Sequence, residues 1–156
     1  MPSNTSPPPD HDATLSSRTV LNTRLMNHSP QQLWNAWTDP KLLAQWWGPN
    51  GFTNTFEEFN PQPNGQWRFT MHGPNGENYP QQIVFVEFSP HRCIVLDHVS
   101  PPVFRVTATF DPMQEQTQFT FRQEFQSVEI CNSLRPICEP ANEQIFDRLD
   151  ALLKAQ

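Results

Sequence analysis

Four of the chain's five tryptophans fall between Ser29 and Pro49, in the stretch SPQQLWNAWTDPKLLAQWWGP. No other feature narrows the possible folds so far, because so much indole in one place needs a large apolar surface to cover it. The stretch reads as two short helices in series. Ser29 suits an N-cap, Pro30 the first helical position, and Gln32 completes a Ser-x-x-Gln capping box. Leu33, Trp34 and Trp37 recur at three- and four-residue spacing and share a face. Asp39-Pro40 repeats the start signal, Leu42, Leu43, Trp46 and Trp47 supply the second apolar face, and Gly48-Pro49 is the expected stop. Trp34 and Trp37 are expected in the core. Two adjacent indoles cannot both face inward from one helix. One of the Trp46-Trp47 pair is therefore expected at a cleft, and Trp46 is taken as a candidate ligand contact.

Around this stretch the chain reads as strands. Arg18 to Met26 alternates Val20 with polar neighbours. Segments rich in Phe, Val, Thr and Ile then run over Phe52–Phe59, Gln66–His72, Tyr79–Phe88, Cys93–Val99, Val103–Phe110 and Thr117–Phe125. Turn signals at Pro63-Asn64-Gly65, Gly73 to Gly76, Ser89-Pro90 and Asp111-Pro112 separate neighbours and predict sequential antiparallel pairing. Val128 to Glu139 is expected to be irregular, given Pro136 and Pro140, with a last helix running from Pro140 to about Lys154. Ile145, Phe146, Leu149, Leu152 and Leu153 form its apolar stripe, opposite Glu143, Asp147, Arg148 and Asp150. The order is strand, two short helices, six strands and one long helix. It predicts an α+β fold in which an antiparallel sheet of six to seven strands wraps the C-terminal helix.

The 156 residues suit one domain, expected over 18–156, and the first seventeen, rich in Pro, Ser, Asp and Asn, read as a disordered tail. A formal charge of −6 without a Lys/Arg cluster disfavours nucleic acid and anionic membrane as partners. The sequence shows neither a spanning apolar run nor a signal-peptide pattern. Three cysteines without CxxC spacing argue against a disulfide framework or zinc site and for a reducing cytoplasm. No His lies at metal-ligand spacing from another ligand, no Gly-x-Ser-x-Gly elbow is present, and the glycines serve turns. No catalytic residue, metal or cofactor is therefore assigned. Asp97 and His98 point to opposite faces of their strand. One must be interior, and Arg105 on the next strand is a candidate partner for Asp97.

The stretch Ser-Pro…Trp-Asn-Ala-Trp-Thr-Asp-Pro…Trp-Trp-Gly-Pro resembles the opening of a family related to the C-terminal half of the activator of the heat-shock-protein ATPase. That family belongs to the START-like (SRPBCC) superfamily. Further likeness lies in Asn64 to Phe69, in the Glu87-Phe88-Ser89-Pro90-His91-Arg92 turn, in Thr117 to Gln123 and in Ala141 to Gln144 with Asp147-Arg148-Leu149. The resemblance covers about residues 18–154 and implies a helix-grip fold with an apolar cavity between sheet and last helix. Two departures bear on ligand preference. Gln123 stands where the family often has His, and Cys138-Glu139-Pro140-Ala141 replaces its Gly-Trp helix start.

Alternation places Trp67, Phe69 and Met71 on one strand face and Phe119, Phe121 and Gln123 on another. In a single-core domain both sets face the last helix, opposite Phe146 and Leu149. Gln123 is then a polar amide at the end of an apolar face, within reach of Asn142 or a ligand's polar group; the alternative is an open rim where it meets water. With Trp46 these residues make up the candidate ligand site. The leading expectation is a small-molecule binding protein for a hydrophobic or aromatic ligand. An enzyme of the polyketide-cyclase sort, with Asp97, His98 and Glu124 as its groups, ranks second. A co-chaperone role ranks third, a heat-shock chaperone being the disfavoured partner because the activator's N-terminal domain has no counterpart here. A homodimer is compatible with the sequence.

Overall fold

The capping box forms as read. Ser29 Oγ accepts from the backbone N–H of Gln32 at 3.1 Å, and Gln32 Oε1 accepts from that of Ser29 at 2.8 Å. It opens α1 (Pro30–Thr38). Asp39 closes that helix by donating to Asn35 O at 2.9 Å, and its carboxylate caps α2 (Pro40–Trp46) by accepting from Lys41 N at 2.9 Å. α2 stops at Trp46, two residues before the expected Gly48-Pro49, because Trp47 takes an extended conformation (φ −72°, ψ 129°). That turn of the backbone re-aims the second indole. Trp46 and Trp47 are 0% and 7% exposed, so both point inward and neither stands at a cleft mouth as the sequence suggested.

The computed structural model describes residues 15–156; the expected tail over 1–14 lies outside the described residues. Residues 15–17, assigned to that tail from composition, form a helical turn, in which Leu15 O accepts from Arg18 N and Thr19 Oγ1. Seven strands follow the expected pattern: β1 (Thr19–Met26), β2 (Thr53–Phe59), β3 (Gln66–His72), β4 (Asn78–Ser89), β5 (Cys93–His98), β6 (Phe104–Met113) and β7 (Gln116–Phe125). They form one antiparallel sheet in the order β1-β7-β6-β5-β4-β3-β2. β2 to β7 pair sequentially, and β1 closes onto β7. Asp111-Pro112 is not the turn the sequence indicated but part of β6, and the reversal comes at Gln114, whose φ is +60°. The physical reason is directional. Phe110 N donates to Arg92 O across the β5 side, so the nitrogen two residues on, that of Pro112, points the same way, past the end of β5.

The larger correction concerns the last helix. α3 runs from Val128 to Lys154, capped by Ser127, whose side chain accepts from Ile130 N. The stretch to Glu139 is therefore helical, not irregular. Pro136 and Pro140 each remove one intrahelical bond, leaving the carbonyls of Asn132 and Pro136 without their donors. Residues 132, 136 and 140 form a stripe at four-residue spacing, and all three are exposed, so water can serve those carbonyls.

One face of the sheet carries the core. Trp67 and Phe69 of β3, Ile83 and Phe85 of β4, Ile94 and Leu96 of β5, and Phe119 and Phe121 of β7 are buried there. α3 lies over β1 and β7 with Ile145, Phe146, Leu149 and Leu153, while α2 covers β2 and meets α3. Trp37 joins this core fully. Trp34 is half-buried at its margin, edge-on to Phe88 and Phe110.

Candidate functional site

Alternation along β3 and β7 puts both sets on one covered sheet face, but only the β7 set lies against the last helix; the β3 set, expected there too, lies toward α2. On the α3 side, Phe119 lies 5.0 Å and Phe121 6.3 Å from the ring of Phe146, with Leu149 wholly buried beside it. Toward α2, Trp67 stacks on Phe69 (4.3 Å, 20° between planes) and lies 6.0 Å from Phe85 with near-parallel rings. Trp47 joins the groups, 5.1 Å from Trp67 and 6.4 Å from Phe121. Met71 sits apart, half-buried at the edge, under Gly48. A Cβ on Gly48 would come within 2.7 Å of Met71 Cε, and its φ of +98° also favours glycine. Trp46 belongs to the packing between the two short helices, where its Nε1 donates to Ala36 O at 3.0 Å.

Gln123 is buried, not on an open rim, and Asn142 reaches it. Asn142 Nδ2 donates to Gln123 Oε1 at 3.1 Å and to Asn22 Oδ1 at 3.0 Å. Asn22 Nδ2 in turn donates to Glu139 O at 3.1 Å and to Glu143 Oε2 at 2.8 Å. The nearby Cys138 thiol has its pKa pushed up by burial and by neighbouring Cys131, which the Gln123 side chain offsets only in part, the reverse of a reactive nucleophile. The amides thus form a ladder from β7 across α3 to β1. Asn22 was missed, although it stands two residues from Val20 on the same strand face.

The polar side of α3 is not a plain solvent face. Arg24 of β1 pairs with Glu143 and Asp147, each at 2.8 Å, and its guanidinium lies 5.3 Å from the Phe146 ring centre. Burial opposes ionisation of Glu143, but hydrogen bonds from Asn22 and Arg24 outweigh it and hold the carboxyl below its ordinary range. Asp150 behaves alike, with His28 Nε2 at 2.7 Å and Lys154 Nζ at 3.1 Å as its partners. Arg148 turns toward the segment after α2. Its Nη1 donates to the carbonyls of Trp47, Gly48 and Pro49 at 3.2, 2.7 and 3.1 Å. Its Nη2 donates to those of Gln45 and Phe52 at 2.8 and 2.9 Å. Burial with carbonyls alone lowers its pKa.

Of the Asp97–His98 pair, His98 is the interior member, and Asp97 takes Arg105 as expected, through Nε at 2.8 Å and Nη2 at 3.0 Å. His98 stacks on Phe104 at 4.5 Å between Pro102 O and Gln81 Oε1. Burial lowers its pKa, and the surrounding backbone carbonyls offset only part of that. Among the described residues no three His, Cys, Asp or Glu side chains come together as a metal site, and no helix is long and apolar enough to cross a membrane.

An open antiparallel sheet closed on one side by a long C-terminal helix, with two short helices after the first strand, is the START-like helix-grip class. Within it, residues 27–154 match the model of one family, Activator of Hsp90 ATPase homolog 1-like protein, and the chain belongs to that family. Solved structures share the fold. A protein from Arthrobacter aurescens superposes with a TM-score of 0.83 at 20% identity, covering 91% of this chain and 89% of that one. One from Nitrosomonas europaea gives 0.82 at 17%, covering 90% and 96%. The AHSA1 protein from Silicibacter pomeroyi gives 0.73 at 16%, covering 88% and 98%. No curated protein matches the chain significantly.

Proposed function

We propose that this chain is a cytoplasmic small-molecule binding protein that holds an apolar or aromatic ligand between the sheet and α3. The observation that carries the reading is the pairing of Phe119, Phe121 and Phe146 with the buried Gln123–Asn142 amides at one end of the same face. Apolar walls with a few fixed polar groups are what small-molecule sites are made of. The family resemblance supports the same place, since helix-grip domains commonly enclose ligands between sheet and last helix. The thiol of Cys138 is held protonated, which supports binding over covalent chemistry at this end.

The test is a titration of the purified chain with N-phenyl-1-naphthylamine, beside Phe121→Trp and Gln123→Leu variants, with native mass spectrometry for co-purifying ligands. Saturable binding altered in both variants is the expected result. A wild type that binds no probe, or variants that bind it unchanged, would remove the site.

A further inference from the structure

The face of the sheet turned away from α3 carries a cleft of about 270 Å³ at the β1 edge, lined by Leu15, Ser16, Thr19, Leu21, Arg122 and Glu124. Strand register builds it. Thr19 and Leu21 of β1 stand directly opposite Glu124 and Arg122 of β7. Alternation turns all four away from the face that buries Val20, Asn22, Phe121 and Gln123. The helical turn at 15–17 supplies the remaining wall. It is tied to β1 where Leu15 O accepts from Arg18 N and from Thr19 Oγ1, the latter at 2.6 Å.

Two opposite charges flank this cleft without meeting. Arg122 and Glu124 share a strand face two residues apart, roughly 7 Å along the strand. Neither side chain makes a hydrogen bond or an ion pair with another described residue. The neighbouring cations are already engaged. Arg105, opposite Glu124 on β6, grips Asp97 with both Nε and Nη2, and Arg18 donates to Phe125 O. A bare anion on Arg122 would face the Glu124 carboxylate, and a bare cation on Glu124 would face the Arg122 guanidinium. A ligand that carries both charges satisfies both. Thr19 sets its direction. The Thr19 hydroxyl spends its proton on Leu15 O, so only its lone pairs remain, beside Glu124, and the two together suit an ammonium group. Leu21, 49% exposed, and half-buried Leu15 offer apolar surface next to them. The volume falls just under the roughly 300–1,000 Å³ of drug-sized pockets, which suits a smaller ligand. We propose that this cleft binds a zwitterionic α-amino acid with an apolar side chain. Its ammonium sits on Glu124 and Thr19, its carboxylate on Arg122, and its side chain between Leu15 and Leu21. The site is separate from the one between sheet and α3 and does not depend on it.

L-Leucine tests it, beside three relatives that each lack one part. Leucinamide has no carboxylate, 4-methylpentanoate no ammonium and glycine no hydrocarbon. The full chain, isotope-labelled, is titrated with each by NMR at neutral pH. Leucine is expected to saturate with a Kd of about 1 mM or below. The amides of Thr19, Leu21, Arg122 and Glu124 move while the Trp37 and Trp67 indole protons stay. Each relative binds at least about tenfold more weakly, the loss that one charge-assisted hydrogen bond or one covered hydrocarbon group commonly brings. Arg122→Gln and Glu124→Gln remove one charge each from the surface and weaken leucine to the same degree. Leucine that does not saturate by about 10 mM overturns the inference. So does a relative that binds as tightly as leucine, or a pair of variants that bind it unchanged. Shifts confined to the core tryptophans overturn it too and speak instead for the site under α3. Should a variant fail to fold, the wild-type affinities and the map of moved peaks decide alone.

Discussion

Replacing Arg148 by Met keeps the aliphatic stem and removes a guanidinium that five backbone carbonyls enclose. Two of the five have other donors: Trp47 O is also bonded by Asn54 Nδ2, and Pro49 O by Phe52 N. Gln45 O, Gly48 O and Phe52 O, bonded at 2.8, 2.7 and 2.9 Å, lose their Arg148 donor. Hydrogen bonds involving a charged group contribute about 1.5–3 kcal/mol each in favourable settings. Here the sum is far smaller, because burial already penalises the cation and water can reach some of the freed oxygens. A net loss of about 2–4 kcal/mol follows, or a melting point lower by roughly 4–16 °C in a domain of this size. The assay is urea unfolding followed by tryptophan fluorescence, with Arg148→Lys alongside. Lysine keeps the charge but not the planar fork and should recover less than half of the loss. If the Met variant loses under about 1 kcal/mol, or Lys restores the wild type fully, the carbonyl cage is not what holds the segment after α2.

Ser29→Ala removes the capping-box acceptor of α1 and should cost about 1 kcal/mol, read from the urea midpoint. Asn142→Ala strips the donor from Gln123 Oε1 and Asn22 Oδ1 and should cost about 2–3 kcal/mol; an unchanged midpoint would mean that water replaces it freely. Acid should weaken the fold in two stages. His98 is held neutral below the usual imidazole value of about 6.5, so its contribution is complete above that pH and lost as pH falls through it. Glu143 and Asp150, whose carboxyls are held low, lose theirs only below the ordinary carboxylate range of about 4. Urea midpoints from pH 8 to 5 should fall for the wild type and fall less for His98→Gln, and equal slopes would exclude His98 as the source.

Faces were legible in the sequence wherever a period fixed them. Two-residue alternation set Trp67, Phe69, Phe119, Phe121 and Gln123 on the covered face, and the spacing of Ile145, Phe146 and Leu149 turned the helix toward Phe119 and Phe121. What escaped depends on solvent and on neighbours. Pro136 and Pro140 made the stretch before Pro140 read as irregular because each removes a helical bond, yet the residues whose carbonyls lose a donor, 132 and 136, lie on an exposed stripe of α3. Trp46 and Trp47 could not be aimed without knowing that the helix ends between them. Arg148 looked like one more surface charge, since its partners are carbonyls, which carry no sequence signature. The unpaired Trp37 and Trp67 nitrogens were invisible for the same reason, because pairing belongs to the packed molecule and not to a residue type.

The sheet order has a consequence for how the chain is made. β1 leaves the ribosome first, yet its partner in the sheet is the last strand, and Arg18 reaches the carbonyl of Phe125 across 107 residues of sequence. At elongation rates of about 5–20 residues per second, β1 waits roughly 5–20 s before its neighbour exists. During that wait it carries an unpaired backbone edge, with Val20 and Met26 uncovered on one face and Leu21 and Leu25 on the other. Synthesis of this domain therefore contains a period in which its N-terminal strand has no sheet partner, and that period ends only when β7 emerges.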